Sequence, residues 1–493
     1  MKQITIDPIT RLEGHGKIEI FRNGDGSVEN VYFQVPELRG FEKFCEGRPV
    51  EELSQIVTKI CGVCPGCHHM ASGKAADAVY GVEPPPTAKK LRELFYMAHF
   101  VHSHIAHFYA LAAPDFVVGP TAKPEERNIL GVIGKVGKEI GTEVIKQRRI
   151  AQEIQALLGG HQTHVVMNIP GGVRRGLSEE EREDIVKKAK GFVDFGKFSL
   201  KIFEDVVLAN KDYVDIILNG PYALNIYSMG LVDENNKVNF YDGKVRVVDT
   251  EGKEHCKYAP EEYLEYVAER VEPWSYLKFP YLKKVGWKGF VDGIDSGVYH
   301  ATPLSRLNVA DGMATPEAQK EYEKMYETLG GKPVHATLAM HWARLVELLY
   351  SAERCLELAE DPEITGKEIK TPVGKPVGEG VGIVEAQRGT LTHHYWTDEK
   401  GIVTKANIIV GTTNNNAAIC MSLKKAAQGL IKNDEEVPEG ILNMIEMAFR
   451  AYDPCFSCAT HHLPGEMPLT VQIRNAGDGA LMQTIQRQTG KGK

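Results

Sequence analysis

Four of the chain's nine cysteines fall in two tight pairs, Cys61-Gly62-Val63-Cys64 and Cys455-Phe456-Ser457-Cys458. A C-x2-C spacing lets both sulfurs of a pair reach one metal from a single turn, so the two pairs together make a four-sulfur site. Soft thiolates select zinc, iron–sulfur or nickel-type centres over hard cations, and a bound metal keeps the sulfurs deprotonated. Structural zinc usually clips a short loop, whereas these pairs stand 391 positions apart, at 64 and 455. That separation points to an active centre closed between the two ends of the fold. Cys61, Cys64 and Cys67 also imitate the start of a ferredoxin run, but Cys67 is followed by His68-His69 and the fourth Cys-Pro is missing. The other five cysteines (Cys45, Cys67, Cys256, Cys355 and Cys420) are scattered, and a disulfide framework is not expected in a chain of 493 residues.

The residues flanking both pairs extend the pattern. Cys61-Gly-Val-Cys64-x3-His68 resembles the N-terminal metal motif of nickel-iron hydrogenase large subunits, and Asp453-Pro-Cys455-x2-Cys458-x2-His461 resembles the C-terminal one. The similarity takes in Arg11-Leu-Glu-Gly-His15, Arg39-Gly-Phe-Glu42, Ala113-Pro-Asp115, Glu385-Ala-Gln-Arg388-Gly and Gly411-Thr-Thr-Asn414, and so covers nearly the whole chain.

The resemblance implies nickel held by Cys61, Cys64, Cys455 and Cys458, with Cys64 and Cys458 bridging to an iron that carries CO and CN ligands. It implies hydrogen-bond donors to those ligands from Arg388 and Thr412, a guanidinium being a rigid fork suited to several such bonds. Gln387 stands where a proline often precedes this arginine. Asp115 and Asp453 resemble the acidic partners of Arg388, and His68 a donor to a cysteine sulfur. Heterolytic cleavage of H2 releases a proton that needs a base. Glu13 resembles the family's proton-relay glutamate, beside the terminal thiolate of Cys455. Glu42 and His461 resemble ligands to a magnesium-like ion, for which oxygen and nitrogen donors completed by water are suitable. Without the flanking matches each residue has a plainer reading: an exposed Glu13 or Glu42, a solvated strand arginine at 388, a helix-end cap at Asp115, a turn former at Asp453. His99, His102, His104 and His107 crowd one predicted helix at offsets that scatter around it, which favours core histidines over ligands.

No further cysteine pattern can hold relay clusters, so no iron–sulfur cluster is expected in this chain. The resemblance implies as partner an iron–sulfur small subunit, with further electron-transfer modules passing electrons to a nicotinamide, flavin or heterodisulfide-type acceptor. Two alternatives compete. The quinone-binding subunit of respiratory complex I is similar in fold but lacks the cysteine quartet, and a zinc-stabilised scaffold would be no enzyme at all.

Composition narrows the class. With 43% hydrophobic residues, 25% charged and a net charge of -8, the chain should fold throughout and has no basic surface for nucleic acid. No window offers the roughly 18 apolar residues of a membrane span, and Met1-Lys2-Gln3-Ile4-Thr5 lacks a signal core. Leu391-Thr-His-His-Tyr395 and Ala459-Thr-His461 resemble the cytosolic, cofactor-coupled members, so a cytoplasmic protein is expected.

The elements that must position these residues read as α+β, predominantly helical. Alternation over 15–35 around Asn23-Gly24-Asp25-Gly26 predicts a β-hairpin. Helical periodicity covers 50–60, 88–113 behind Pro84-Pro85-Pro86, 125–159, 178–210 behind Ser178, 335–361 and 437–451. These long helices form a centre, with a strand at Lys244-Val-Arg-Val-Val248 and a peripheral hairpin over 380–411 turning at Asp398-Glu399-Lys400-Gly401. Without repeats or linkers, residues 1–493 read as a single interlocked domain. In the family the large subunit is often cut after the residue matching His461, which makes 462–493 a possible maturation extension. The alternating Leu469-Thr-Val-Gln-Ile473 also reads as an ordinary strand.

Overall fold

The computed structural model describes residues 2–7, 9–35, 38–432, 437–459, 469–474 and 481–487. The chain opens with β1 (Lys2–Ile6), β2 (Lys17–Arg22) and β3 (Val28–Gln34), antiparallel and in spatial order 1-2-3. The expected turn joins β2 to β3, and Ile18 faces Phe33 and Ile20 faces Val31 across the pair. One face of the hairpin is thereby buried.

Helices build the centre. They include α1 (Pro65–Val79), α2 (Pro86–Ala106), α3 (Lys138–Gly159), α4 (Glu179–Phe203) and α5 (Met340–Glu360). Pro86 opens α2, where a missing N–H costs nothing. Ser178 caps α4 in a capping box with Glu181. The helix predicted over 125–159 breaks at Gly137 into Ile129–Val136 and α3. Beyond Ala106 the chain widens into two π-helical turns, His107–Ala112 and Pro114–Val118, and the second carries Asp115. The periodicity did not reveal α1, because nearly every residue on it is buried and no polar face remains to mark a period.

A four-stranded sheet follows, with Tyr299–His300 parallel to Tyr227–Val232, then Lys244–Val248 and Glu254–Tyr258 antiparallel. The segment 380–411 holds three strands rather than two: β4 (Glu379–Ala386), β5 (Gly389–Thr397) and β6 (Val403–Ile409). It has the expected turn near Asp398–Gly401 and a second, tight one at Gln387–Arg388, closed by the Ala386–Gly389 pair. This sheet packs against α1, and β5 is buried along most of its length, so it belongs to the interior rather than the periphery. Three further helices, α6 (Gly411–Asn414), α7 (Asn416–Leu430) and α8 (Glu439–Arg450), lead to the C-terminal cysteines. The strand anticipated at 469–473 forms as Leu469–Arg474, paired with Leu481–Arg487. One continuous buried cluster reaches from Ile6 to Phe456 and includes Cys61, Cys64 and Cys455. Among the described residues no helix is long and apolar enough to cross a membrane.

Candidate metal centre

Cys61 ends the short 3-10 turn Val57–Ile60 in extended backbone, and Cys64 is the N-cap of α1, with Pro65 as first helical residue. A helix N-terminus favours the anionic form of a thiol placed there. From the other end of the sequence, α8 delivers the chain to Asp453, which adopts a left-handed conformation (φ 53) before Pro454. Such a backbone is uncommon outside glycine and persists where surrounding contacts enforce it. The result is a meeting of the two pairs. Cys61 Sγ lies 3.1 Å from Cys455 Sγ, and the sulfurs of Cys61, Cys64 and Cys455 all fall within 4.8 Å of one another, buried. The backbone of Cys458 sits in the helical turn Phe456–Ala459; its side chain, and all of His461, lie outside the described residues. Arg39 staples the two loops together, donating to the carbonyls of Lys59, Ile60 and Ser457.

Glu13 arrives on the same sulfurs by backbone pairing. It forms a parallel bridge with Cys455, and Phe456 N donates to Glu13 O at 2.9 Å. Gly14 (φ 87) makes that approach possible, since a Cβ there would meet Ser457 N at 2.9 Å. The Glu13 carboxylate accepts from Cys455 Sγ at 2.9 Å and from Ser457 N at 3.1 Å, so the sequence-predicted base stands in proton-transfer range of the predicted thiolate.

Asp115 is placed differently from expectation. Its carboxylate does not pair with Arg388; it accepts from Arg11 Nη2 at 2.5 Å, Arg450 Nη1 at 3.2 Å and Asn443 Nδ2 at 3.0 Å. The π-helical turn aims it at α8 and at the segment carrying Glu13. Burial would raise this carboxyl, but Arg450 and Arg11 outweigh it and hold the acid below its usual range. Asp115 therefore anchors Arg11, two residues ahead of Glu13.

Arg388 occupies the tight β4–β5 turn. Gly389 (φ 149) follows it, and a Cβ there would sit 2.4 Å from Ala301 O and 2.6 Å from Gly411 O. Arg388 Nη2 donates to Asp453 Oδ1 at 3.0 Å, which is the expected pairing. Burial alone would lower the guanidinium, yet Asp453 and the thiols of Cys455, Cys64 and Cys61 hold it well above its ordinary value. Its Nε and Nη1 are buried with no partner among the described residues. Thr412, on α6, accepts from Cys455 N at 3.1 Å, and a hydroxyl that accepts can still donate its own proton.

Sequence reasoning missed what fixes that turn. Arg306, fully buried, uses all five donors around it: Nε and Nη2 on the Glu347 carboxylate (2.6 and 2.8 Å), Nη1 on Glu385 and the Ala386 carbonyl (both 2.9 Å), and Nη2 also on the Gln387 carbonyl at 3.2 Å. Asn415 holds the Arg388 carbonyl at 2.7 Å. No local motif announces these contacts. Replacing Arg306 with methionine strands Glu347 and Glu385 without their cation and is expected to cost about 3–5 kcal/mol in chemical denaturation. A loss under about 1 kcal/mol, the scale of an exposed pair, would contradict the clamp.

The remaining expectations divide. His68 Nδ1 meets His393 Nε2 at 3.1 Å, His393 Nδ1 meets Tyr395 Oη at 2.6 Å, and Tyr395 donates to Ser72 Oγ at 2.9 Å. Burial, partly opposed by the nearby Cys61 thiol, lowers His68 to about 4 and keeps it neutral. Four histidines around α2 separate to unrelated surroundings: His99 on Gln155, His104 on Glu347, His107 on the Arg450 carbonyl, and His102 among buried side chains. Glu42 is buried and meets Lys278 Nζ at 3.0 Å and Ile408 N at 2.8 Å, so an ammonium supplies counter-charge where a divalent cation was expected.

Three convergent buried thiols, one carboxylate on a thiol, and a guanidinium with donors left over suit a soft metal with additional acceptor ligands. A structural zinc has no use for the spare donors. Comparison with known proteins agrees. A family model described as nickel-dependent hydrogenase matches residues 39–127 and 142–461, and one described as HoxL-like matches residues 3–38. The chain is 50% identical over 485 residues to the F420-non-reducing hydrogenase iron-sulfur subunit of Archaeoglobus profundus, covering 98% of this chain and 99% of the relative. It is 36% identical over 489 residues to the NAD-reducing hydrogenase HoxS subunit beta of Cupriavidus necator, covering 96% and 98%. It superposes on the crystal structure of an NAD+-reducing NiFe hydrogenase in the H2-reduced state with a TM-score of 0.88 at 35% identity, covering 94% of this chain and 100% of that one. The chain therefore belongs to the nickel-dependent hydrogenase large-subunit family and is the catalytic large subunit of such an enzyme, an oxidoreductase acting on H2.

Proposed function

We propose that this chain interconverts H2 with protons and electrons at a Ni–Fe centre held by Cys61, Cys64, Cys455 and Cys458. The carrying observation is the Glu13 carboxylate 2.9 Å from Cys455 Sγ, within a cluster of buried thiols. When bound, the centre supplies heterolytic cleavage of H2. Cys455 takes up the released proton at its sulfur, and Glu13 receives it at Oε2 and carries it outward. Ser457 N, donating to the same carboxylate oxygen, keeps Glu13 aimed at the sulfur. Arg388, fixed by Asp453 and by the Arg306 clamp on its turn, offers Nε and Nη1 to the CO and CN ligands of the iron, and Thr412 offers its hydroxyl. A magnesium-like ion on Glu42 and His461 requires Glu42 to turn from Lys278, and no step is derived through it.

Electrons leave to an iron–sulfur small subunit, then to a nicotinamide, flavin or heterodisulfide-type module. The names of the relatives, F420-non-reducing and NAD-reducing hydrogenase subunits, support such an assembly and a cytoplasmic setting. We also read residues 1–461 as one interlocked working unit and 462–493 as an extension removed once nickel is loaded. Burial of Cys455 beneath the Glu13 segment supports a closing step at this end of the chain. The test is exchange between H2 and D2O by the nickel-replete assembly, with the intact mass of this chain taken on the same sample. Exchange with a chain ending at His461 is expected. Absence of exchange would remove the activity, and full exchange with a full-length mass would remove the cleavage.

A further inference from the structure

The turn that carries Arg388 holds a second side chain that the mechanism leaves unused. Gln387, first residue of the turn, is fully buried, although a polar residue at a two-residue hairpin turn normally faces water. Its Oε1 accepts from Cys67 Sγ at 2.9 Å. Cys67 lies three positions after Cys64 in the first turn of α1, so the two side chains share one side of the helix. Burial, reinforced by the neighbouring Cys64, pushes the Cys67 thiol well above its ordinary range and keeps it a protonated donor. A donor at that position fixes the orientation of the amide, oxygen toward Cys67 and NH2 away from it. The NH2 end, Nε2, is buried with no partner among the described residues, as are Nε and Nη1 of Arg388 next to it. Buried N–H groups left without acceptors are costly and rare. Three on two consecutive residues, beside the thiol cluster, mark a cavity that presents donors and lacks an acceptor.

We propose that the Gln387 amide, held by the Cys67 thiol, is a second hydrogen-bond donor beside Arg388 to the diatomic ligands of the metal centre. This rests on the Ni–Fe reading above. A donor on such a ligand draws electron density away from the iron, so Gln387 tunes the centre electronically without taking part in proton transfer.

Infrared spectra of the assembled holoenzyme test it. Gln387→Leu, similar in size and without a donor, should keep CO and CN bands while moving the CO stretch to lower wavenumber, because more density stays on the iron. Cys67→Val frees the amide and should move the band the same way, whereas Cys67→Ser keeps a donor to Oε1 and should leave it in place. Bands unmoved in Gln387→Leu, or in Cys67→Val if the first variant does not fold, overturn the proposal and leave the Ni–Fe reading intact. Absence of any CO or CN band from the unsubstituted protein overturns that reading itself.

Discussion

Serine at Cys61 or at Cys458 is expected to leave the protein without nickel and without H2 oxidation. A hydroxyl is a harder, poorer ligand than a thiolate and does not ionise near neutral pH, so one substitution removes both a soft donor and a negative charge from the set. At Cys61 the geometry allows no rescue by a neighbour. Its sulfur sits 3.1 Å from Cys455 Sγ inside a buried cluster, while Cys67, the next thiol along α1, is engaged with Gln387. The fold should survive, because Cys61 and Cys455 are only two members of a core that runs through the whole chain. Elemental analysis of the purified variants beside hydrogen-uptake rates reads both effects, and nickel retained together with full turnover in either variant would break the four-thiolate assignment.

Glu13→Gln separates proton transfer from metal binding. The amide keeps the size of the carboxylate and an oxygen that can accept from Ser457 N, so the pairing of this segment with Cys455 should persist and nickel should load normally. The group no longer titrates. Loss of a positioned acid–base residue typically costs about 100- to 10,000-fold, and H2–D2O exchange is expected to fall within that range. Exchange near the unsubstituted rate would mean that the proton leaves Cys455 by another route.

The metal-binding pairs and their chemistry were legible because ligand type and spacing are local properties. Cys61, Cys64, Cys455, Glu13, Arg388, Thr412 and Asp453 come together as the motifs implied, and the helices behind Pro86 and Ser178 begin where their caps predict. Partner choice at a distance was not legible. The chain offers Asp115 several arginines, Arg388 among them, and only the π-helical turn decides that it meets Arg11 and Arg450.

Burial on every side hides an element from periodicity. For that reason α1 and the first half of α7 left no amphipathic trace, and the Gln387–Arg388 turn, with neither Asn-Gly nor Asp-Gly to mark it, was read as continuous strand. Arg306 shows the same limit. Nothing around it in sequence distinguishes it from a surface arginine, and its carboxylate and carbonyl partners lie 41 to 81 positions away.

Everything proposed for this chain depends on a Ni–Fe centre, with diatomic ligands on the iron, between Cys61-x2-Cys64 and Cys455-x2-Cys458. An infrared spectrum of the purified, metal-loaded protein is decisive for that centre, because no amino acid absorbs where metal-bound CO and CN do. CO and CN bands are expected in protein that also carries stoichiometric nickel. A spectrum empty in that region, from protein whose thiols hold zinc alone, would show that no such centre is there.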